Sequence, residues 1–283
     1  MGFYNNFKTF VLLAFLTALF LWVGSLFGRG GIIFAIVLVG AMNFFSYFYS
    51  DKIVLKMYKA KQVDEKSAPK LYGICKELSQ KTKMPMPKVY IIPDDNANAF
   101  ATGRSKKHAA VAATRGLLET LNDRQLKGVI AHEFAHIKNR DLLISTVTGM
   151  IAGIISYVGI IAQWSAIFGG FGGDDEGGGL MQLLALVIIT PLIATMIQLS
   201  ISRSREYLAD ADGAKFIKDG DALADALENL EKDSKSHPMR IGNNATAHLF
   251  ILNPFSAKGF MKLLSTHPST NDRVKKLRKM EFQ

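Results

Sequence analysis

Residues 129–168 read VIAHEFAHIKNRDLLISTVTGMIAGIISYVGIIAQWSAIF. Two features stand side by side in this stretch. The first is His132-Glu133-Phe134-Ala135-His136, two histidines four positions apart with a glutamate between them. A helix turns once in 3.6 residues, so both imidazoles fall on one face, about one turn apart, and can bind one Zn²⁺. Glu133 then stands beside the metal, where a carboxylate can take a proton from a water that zinc has made acidic. Val129, Ile130 and Ala131 give this helix a buried flank. The second feature is the apolar run that follows Asp141, uncharged as far as Asp174. With no Gly or Pro between His136 and Gly149, the metal helix is expected to continue straight into it.

Three more uncharged gaps lie in the chain, between Lys8 and Arg29, between Arg29 and Asp51, and between Glu176 and Arg203. At about 1.5 Å of rise per residue, roughly 20 apolar residues cross the ~30 Å hydrocarbon core of a bilayer. All four gaps meet that length. Buried helices of a soluble protein are the plainer reading of one such run, but not of four in 283 residues. The spans are Phe7–Phe27, Gly31–Tyr49, Leu142–Phe168 and Leu180–Ile201, paired as two hairpins. The first is not a cleaved signal peptide: its leading region carries only Lys8, and a second apolar run follows almost at once. Pro191 falls inside the last span, where neighbouring helices tolerate a kink.

Lysines and arginines set the orientation. Lys52, Lys56, Lys59, Lys61, Lys66 and Lys70 follow the second span, and Arg203 and Arg205 follow the fourth. The turn at 169–179 is glycine-rich and carries only acidic charge, at Asp174, Asp175 and Glu176. The positive-inside rule places both basic flanks in the cytoplasm and this turn outside. The net charge of +10 is thereby explained by topology and by anionic lipid head groups, without nucleic acid. A single cysteine, Cys75, excludes an internal disulfide framework and a cysteine-based zinc cluster.

The predicted organisation is a first hairpin (7–49), a cytosolic piece (50–141), a second hairpin (142–201) and a second cytosolic piece (202–283). The two cytosolic pieces lie on one side and form one mainly helical α+β domain, interrupted by the second hairpin. Helical spacing is expected over Lys66–Thr82, Ser204–Lys218, Asp221–Asp233 and Thr270–Met280, with Asn122 or Asp123 capping the metal helix. Lys88–Ile92 and His108–Thr114 read as strands, Asn98–Gly103 as a short extended segment, and Ser234–Ala247 as a polar loop.

Two histidines are too few, since a catalytic zinc takes three protein ligands and keeps a position open. His108, His237, His248 and His267 remain, with the acidic side chains. Glu206 is the best third ligand: it lies just after the fourth span as His136 lies just before the third, so one hairpin holds both at the same membrane face. Asp210, one turn on, either receives the free ring N–H of a zinc histidine or is a surface carboxylate beside Asp212.

The segments His132–His136, Ser204–Asp210 and Thr266-His267-Pro268-Ser269-Thr270, with the four spans and the acidic glycine-rich turn, resemble the HtpX-type membrane zinc metalloproteases, which are related to the CAAX prenyl endopeptidases. The resemblance covers nearly the whole chain. It implies a zincin-like fold with one Zn²⁺ per chain on His132, His136 and Glu206, and Glu133 as general base. It implies that His267 and Arg273 stand near the substrate carbonyl and stabilise the oxyanion. Asn98, Ala99, Phe100 and Ala101 would form the edge strand on which an extended peptide pairs. At Arg115 the sequence is bulkier and more charged than the resemblance suggests.

The expected activity is a zinc endopeptidase in a prokaryotic cytoplasmic (inner) membrane, its protease domain in the cytosol and its lipid bilayer a constant neighbour. Substrates would be misfolded or unassembled membrane proteins and unfolded polypeptides, in quality control and stress response. A CAAX-type processing protease is disfavoured, because four spans leave no large intramembrane chamber for a lipidated peptide. A non-catalytic scaffold or metal-dependent sensor is disfavoured by the intact ligand and base set. A small transporter is disfavoured because the spans carry no charge for an ion pathway.

Overall fold

The computed structural model describes residues 28–148, 203–239, 241, 244–253 and 268–282, with single positions between 7 and 25. Among these the chain is mostly helical, with one small mixed sheet. In chain order the elements are α1 (Gly28–Met57), β1 (Lys61–Gln62), α2 (Pro69–Thr82), β2 (Lys88–Ile92), β3 (Ala99–Gly103), β4 (Ala109–Thr114), α3 (Arg115–Thr120), α4 (Asp123–Asn139), α5 (Arg203–Ile217), α6 (Gly220–Ser236) and α7 (Thr270–Leu277). Single 3-10 turns lie at Lys106–His108 and Asn244–Leu249.

α1 has 30 residues and is long and apolar enough to cross a membrane. Its upper part leaves Ile33, Phe34, Val37, Phe44, Phe45, Tyr47 and Phe48 exposed. Near Asp51 the pattern inverts, and Val54, Leu55 and Tyr58 are buried. The helix therefore runs past the expected end of the second span at Tyr49 and on into the polar domain. The other three expected spans lie wholly or mostly outside the described residues, the second hairpin among them.

The sheet has the order β1-β2-β4-β3, with β2 and β4 parallel and both outer pairs antiparallel. Side chains alternate between its faces, as a period of two requires. Val89, Ala99, Ala101, Val111 and Ala113 join the core built with α2, α4 and α6. Ile92, Phe100, Ala110 and Ala112 join a second core with the lower end of α1 and the 244–250 segment. There Tyr58, Phe100 and Phe250 pack with ring centroids 5.0–5.7 Å apart, and the Tyr58 and Thr246 hydroxyls hydrogen-bond. β4 reads Ala-Ala-Val-Ala-Ala-Thr and is buried at every position, so only small side chains let both layers approach it. This places β3, an edge strand, between α1 and α4.

α4 begins with a capping box: the Asn122 side chain accepts from the Gln125 N–H, and the Gln125 side chain accepts from the Asn122 N–H. Leu126, Val129, Ile130 and Phe134 bury its core face. It does not run straight on into the apolar stretch that follows it. α4 ends at Asn139, Arg140 turns left-handed at φ 59°, and helix resumes only over residues 142–148. The Arg140 and Asp141 N–H groups close this end onto the Ile137 and His136 carbonyls. The break turns the Asp141 side chain back toward His136.

Most other elements match the spacing to within a few residues. α2 begins at Pro69 rather than Lys66, and α6 extends to Ser236, shortening the expected polar loop. β1 and α3 were not expected. Arg115 opens α3, half-exposed and paired with Asp95, on the surface.

Candidate metal centre

α4 brings His132, Glu133 and His136 into the middle of the domain, and α5 brings Glu206 and Asp210 against them. The two helices approach closely because Gly213 of α5 lies on the α4 backbone; a Cβ there would come within 2.8 Å of the His132 nitrogen. Nε2 of His132 and Nε2 of His136 converge to 3.1 Å. The Glu206 carboxylate faces both, at 3.7 Å from His132 Nε2 and 3.6 Å from His136 Nε2.

These three side chains fit a metal. An ion with tetrahedral bonds of about 2.0–2.1 Å sets its ligand atoms about 3.3 Å apart, and the observed separations bracket that edge. Two imidazole nitrogens and a carboxylate oxygen are also the donor set of a catalytic zinc with one open position.

Each histidine is held from behind by a carboxylate. His132 Nδ1 lies 2.9 Å from Asp210 Oδ1, and His136 Nδ1 lies 3.1 Å from Asp141 Oδ2. With the proton on Nδ1, each ring presents the Nε2 lone pair to the metal position. Asp210 is itself locked by Arg273, whose Nε and Nη2 donate to its two oxygens at 2.9 and 2.7 Å. Arg273 Nη1 donates to the Ile251 carbonyl at 2.9 Å.

The electrostatics follow from burial and these pairs. Burial pushes the Asp210 carboxyl up, but the Arg273 charge and hydrogen bonds outweigh it and hold the group below the usual carboxylate range. Burial lowers the His132 pKa. For His136 without a metal, burial works downward, yet the Asp141 hydrogen bond and the Glu206 charge prevail and carry it up to about 9; a metal on Nε2 would displace that proton and leave the one on Nδ1. The Glu133 carboxyl is pushed up to about 7, chiefly by burial; the Glu206 charge adds to this, while His136 and a hydrogen bond from the Ala101 N–H pull it down.

A narrow cleft of about 30 Å³ opens onto the three ligands, with Glu133 on its wall. Ala101 of β3, Asp141, Ser145, Arg205, His248 and the run Leu249–Ile251 also line it.

The structure thus brings His132, Glu133, His136, Glu206, Asp210, Ala101 and Arg273 to one centre. Arg273 does not face the cleft as a substrate donor: it is fully buried and its donors are taken by Asp210 and Ile251. Asn98, Ala99 and Phe100 are buried too, and the outer edge of β3 is partly engaged. The Ile251 N–H donates to the Ala99 carbonyl at 3.2 Å, and the Asn98 amide donates to the Leu252 carbonyl at 2.8 Å. His267 lies outside the described residues. Sequence reasoning gave Asp141 and Arg205 no place in the site and left His248 among the unassigned histidines. Asp141 had one available signal, its place five residues after His136, but it was read as the polar border of an apolar run.

A buried two-histidine helix, a glutamate from a following helix and a carboxyl beside them define a zinc-dependent metallopeptidase. Residues 65–281 match the family model described as Peptidase family M48. A protease HtpX homolog of Desulforapulum autotrophicum is 50% identical over 277 residues, 97% of this chain and 89% of that protein. That of Thermodesulfovibrio yellowstonii is 52% identical over 278 residues, covering 98% of each. That of Pyrococcus furiosus is 48% identical over 277 residues, 98% of this chain and 96% of its own length. The chain belongs to peptidase family M48, among the HtpX homologues. The crystal structure of S. mikatae Ste24p shares the fold, with a TM-score of 0.53 at 16% identity over 97% of this chain and 66% of that one.

Proposed function

We propose that this metallopeptidase is an endopeptidase of a prokaryotic cytoplasmic membrane that cuts misfolded or unassembled membrane proteins on the cytosolic side. The observation that carries the reading is α1. Its exposed apolar part ends at Tyr49, and within three turns Tyr58 packs on Phe100 of β3, the strand beside Glu133. The Arg104 guanidinium, just past β3, lies 5.1 Å from the centre of the Phe48 ring. A cleft so close to the bilayer favours polypeptides already at the membrane.

His132, His136 and Glu206 would hold Zn²⁺, which when bound supplies Lewis acidity toward water and a peptide carbonyl. Glu133 would take a proton from that water and return it to the leaving amine, and its burial raises the carboxyl's affinity for the first of these protons. Asp141 and Asp210 keep the two rings in the ligand orientation, and Arg273 positions Asp210. Leu249, Phe250 and Ile251 shield the cleft from bulk water. An extended substrate pairs along β3 and displaces the Ile251 contact at Ala99. His267 completes the site as a donor to the oxyanion.

The test is Glu133→Gln. Zinc content stays at one per chain, while cleavage of a fluorescent casein falls ~10²–10⁴-fold. Near-normal cleavage would remove Glu133 from this role. The same variant, recovered from membranes with bound polypeptides, is expected to retain membrane proteins; a predominantly soluble set would refute the membrane-substrate reading.

A further inference from the structure

Among the described residues two arginines reach the metal centre, and they differ in what their donors do. Arg273, fully buried, has Nε and Nη2 on Asp210 and Nη1 on a carbonyl. Arg205, the residue before the ligand Glu206, lines the cleft itself, yet its Nη1 is shielded from solvent and has no hydrogen-bond partner among the described residues. A buried charged donor without an acceptor is costly, and such groups in native structures call for an explanation.

We propose that Arg205 is the substrate-contacting arginine of this cleft, its guanidinium donating to a main-chain carbonyl of the bound peptide. The inference rests on the peptidase reading above. Burial works against the Arg205 charge, and Asp141 and Glu206 are the nearby carboxylates that sustain it. Among the described residues, neither accepts a hydrogen bond from Nη1. Those carboxylates, with Glu133 on the same wall, repel an acidic substrate side chain. They leave the donor suited to a neutral acceptor, and a peptide laid through the cleft brings carbonyls. A carbonyl contact is indifferent to side-chain identity, as degradation of unrelated unfolded chains requires.

The experiment uses the full chain in detergent, with Arg205→Gln, Arg205→Lys and the exposed neighbour Arg203→Gln. Zinc content, kcat and KM are measured on a fluorescein-labelled casein peptide. Equilibrium binding of that peptide is measured by anisotropy in a Glu133→Gln background. Arg205→Gln is expected to keep zinc and to raise KM and the peptide Kd ~10–100-fold, the range for a hydrogen bond to a charged group. Arg205→Lys, which keeps the charge but loses the planar fork, should fall between, and remains informative if the Gln variant does not fold. Arg203→Gln should behave as wild type. Loss of zinc in both Arg205 variants would make the residue a support of the metal ligands and overturn the proposal. Unchanged peptide affinity, or an effect confined to acidic peptides, would also overturn it. Because binding is read without turnover, a failure of Glu133 as the base would show in activity alone.

Discussion

His132 and His136 gain their orientation from Asp210 and Asp141, but the two carboxylates are not equivalent. Asp141 meets its histidine beside the open cleft and lies near the Arg205 charge, whereas Asp210 is bound through both oxygens to the fully buried Arg273. Removing either is expected to weaken zinc binding ~10–100-fold in competition with a chelator, because a freed ring loses its fixed tautomer. Only Asp210→Ala also strands Arg273, and breaking a buried pair from one side costs about 3–5 kcal/mol. Urea unfolding of the zinc-free proteins should therefore show Asp210→Ala far less stable than Asp141→Ala. Equal stabilities would mean that the Arg273–Asp210 pair is not the buried lock described. Glu206→Ala should lower zinc affinity and cleavage together, unlike Glu133→Gln, because it removes a ligand and leaves the base.

Helix contacts convert these residues into a site. The Cβ of Gly213→Ala would meet backbone atoms of Ala131 and His132 at 2.8–3.0 Å, so no side-chain rotation can relieve it. α5 must move away from α4, taking Glu206 with it. A loss of about 1–3 kcal/mol is expected for such overpacking, with weaker zinc binding in the same variant. At the other end of α4, Arg124 donates to both oxygens of Asp219 at 2.7 Å and to Asp225 at 3.1 Å, tying the metal helix to α6. Burial pushes Asp219 up, but the Arg124 bonds and the Ala222 N–H outweigh it and depress its pKa. A depressed folded-state pKa stabilises above the unfolded value of about 3.9 and loses that contribution as pH falls further. The thermal midpoint should thus drop as pH falls from about 5 to 3, and Arg124→Gln should flatten the drop. Much of this level is legible in the sequence where a local rule decides. Two prolines bracket the β-rich Lys88–Ile92, Asn122 offers a cap, and one turn separates His132 from His136. The end of α4 is not legible, since Lys138-Asn139-Arg140 contains no breaker. The left-handed Arg140 is imposed by closure onto the His136 and Ile137 carbonyls and by Asp141 reaching back to His136. β1, two residues long, exists only through its pairing with β2. Arg205 was hidden for a different reason: near an apolar run its charge reads as topology, and only the folded chain places it on the wall of the cleft.

Across the whole molecule the decisive quantity is which side of the bilayer holds the metal domain. Thirty residues of α1 rise about 45 Å, more than the ~30 Å of hydrocarbon. The surplus lies beyond Tyr49, where the side chains turn inward. The lower end of α1 is therefore part of the domain, and Lys52, Lys56 and Lys59 mark the membrane face it occupies. In the orientation proposed from the positive-inside rule, that face would be cytoplasmic and the acidic stretch 169–179 outside. Thiol labelling tests this, but Cys75 cannot serve as the inner reporter. It is wholly buried, and burial pushes its thiol up to about 12, so it stays unreactive on either side of the membrane. An exposed position is needed, and Lys66 between α1 and α2 provides one. With an impermeant maleimide on intact spheroplasts, Gly173→Cys should label at once. Lys66→Cys should label only after permeabilisation, and Cys75 only after unfolding. Labelling of Lys66→Cys in sealed spheroplasts, with Gly173→Cys protected, would put the metal centre outside the cell and away from the cytosolic ends of its proposed substrates.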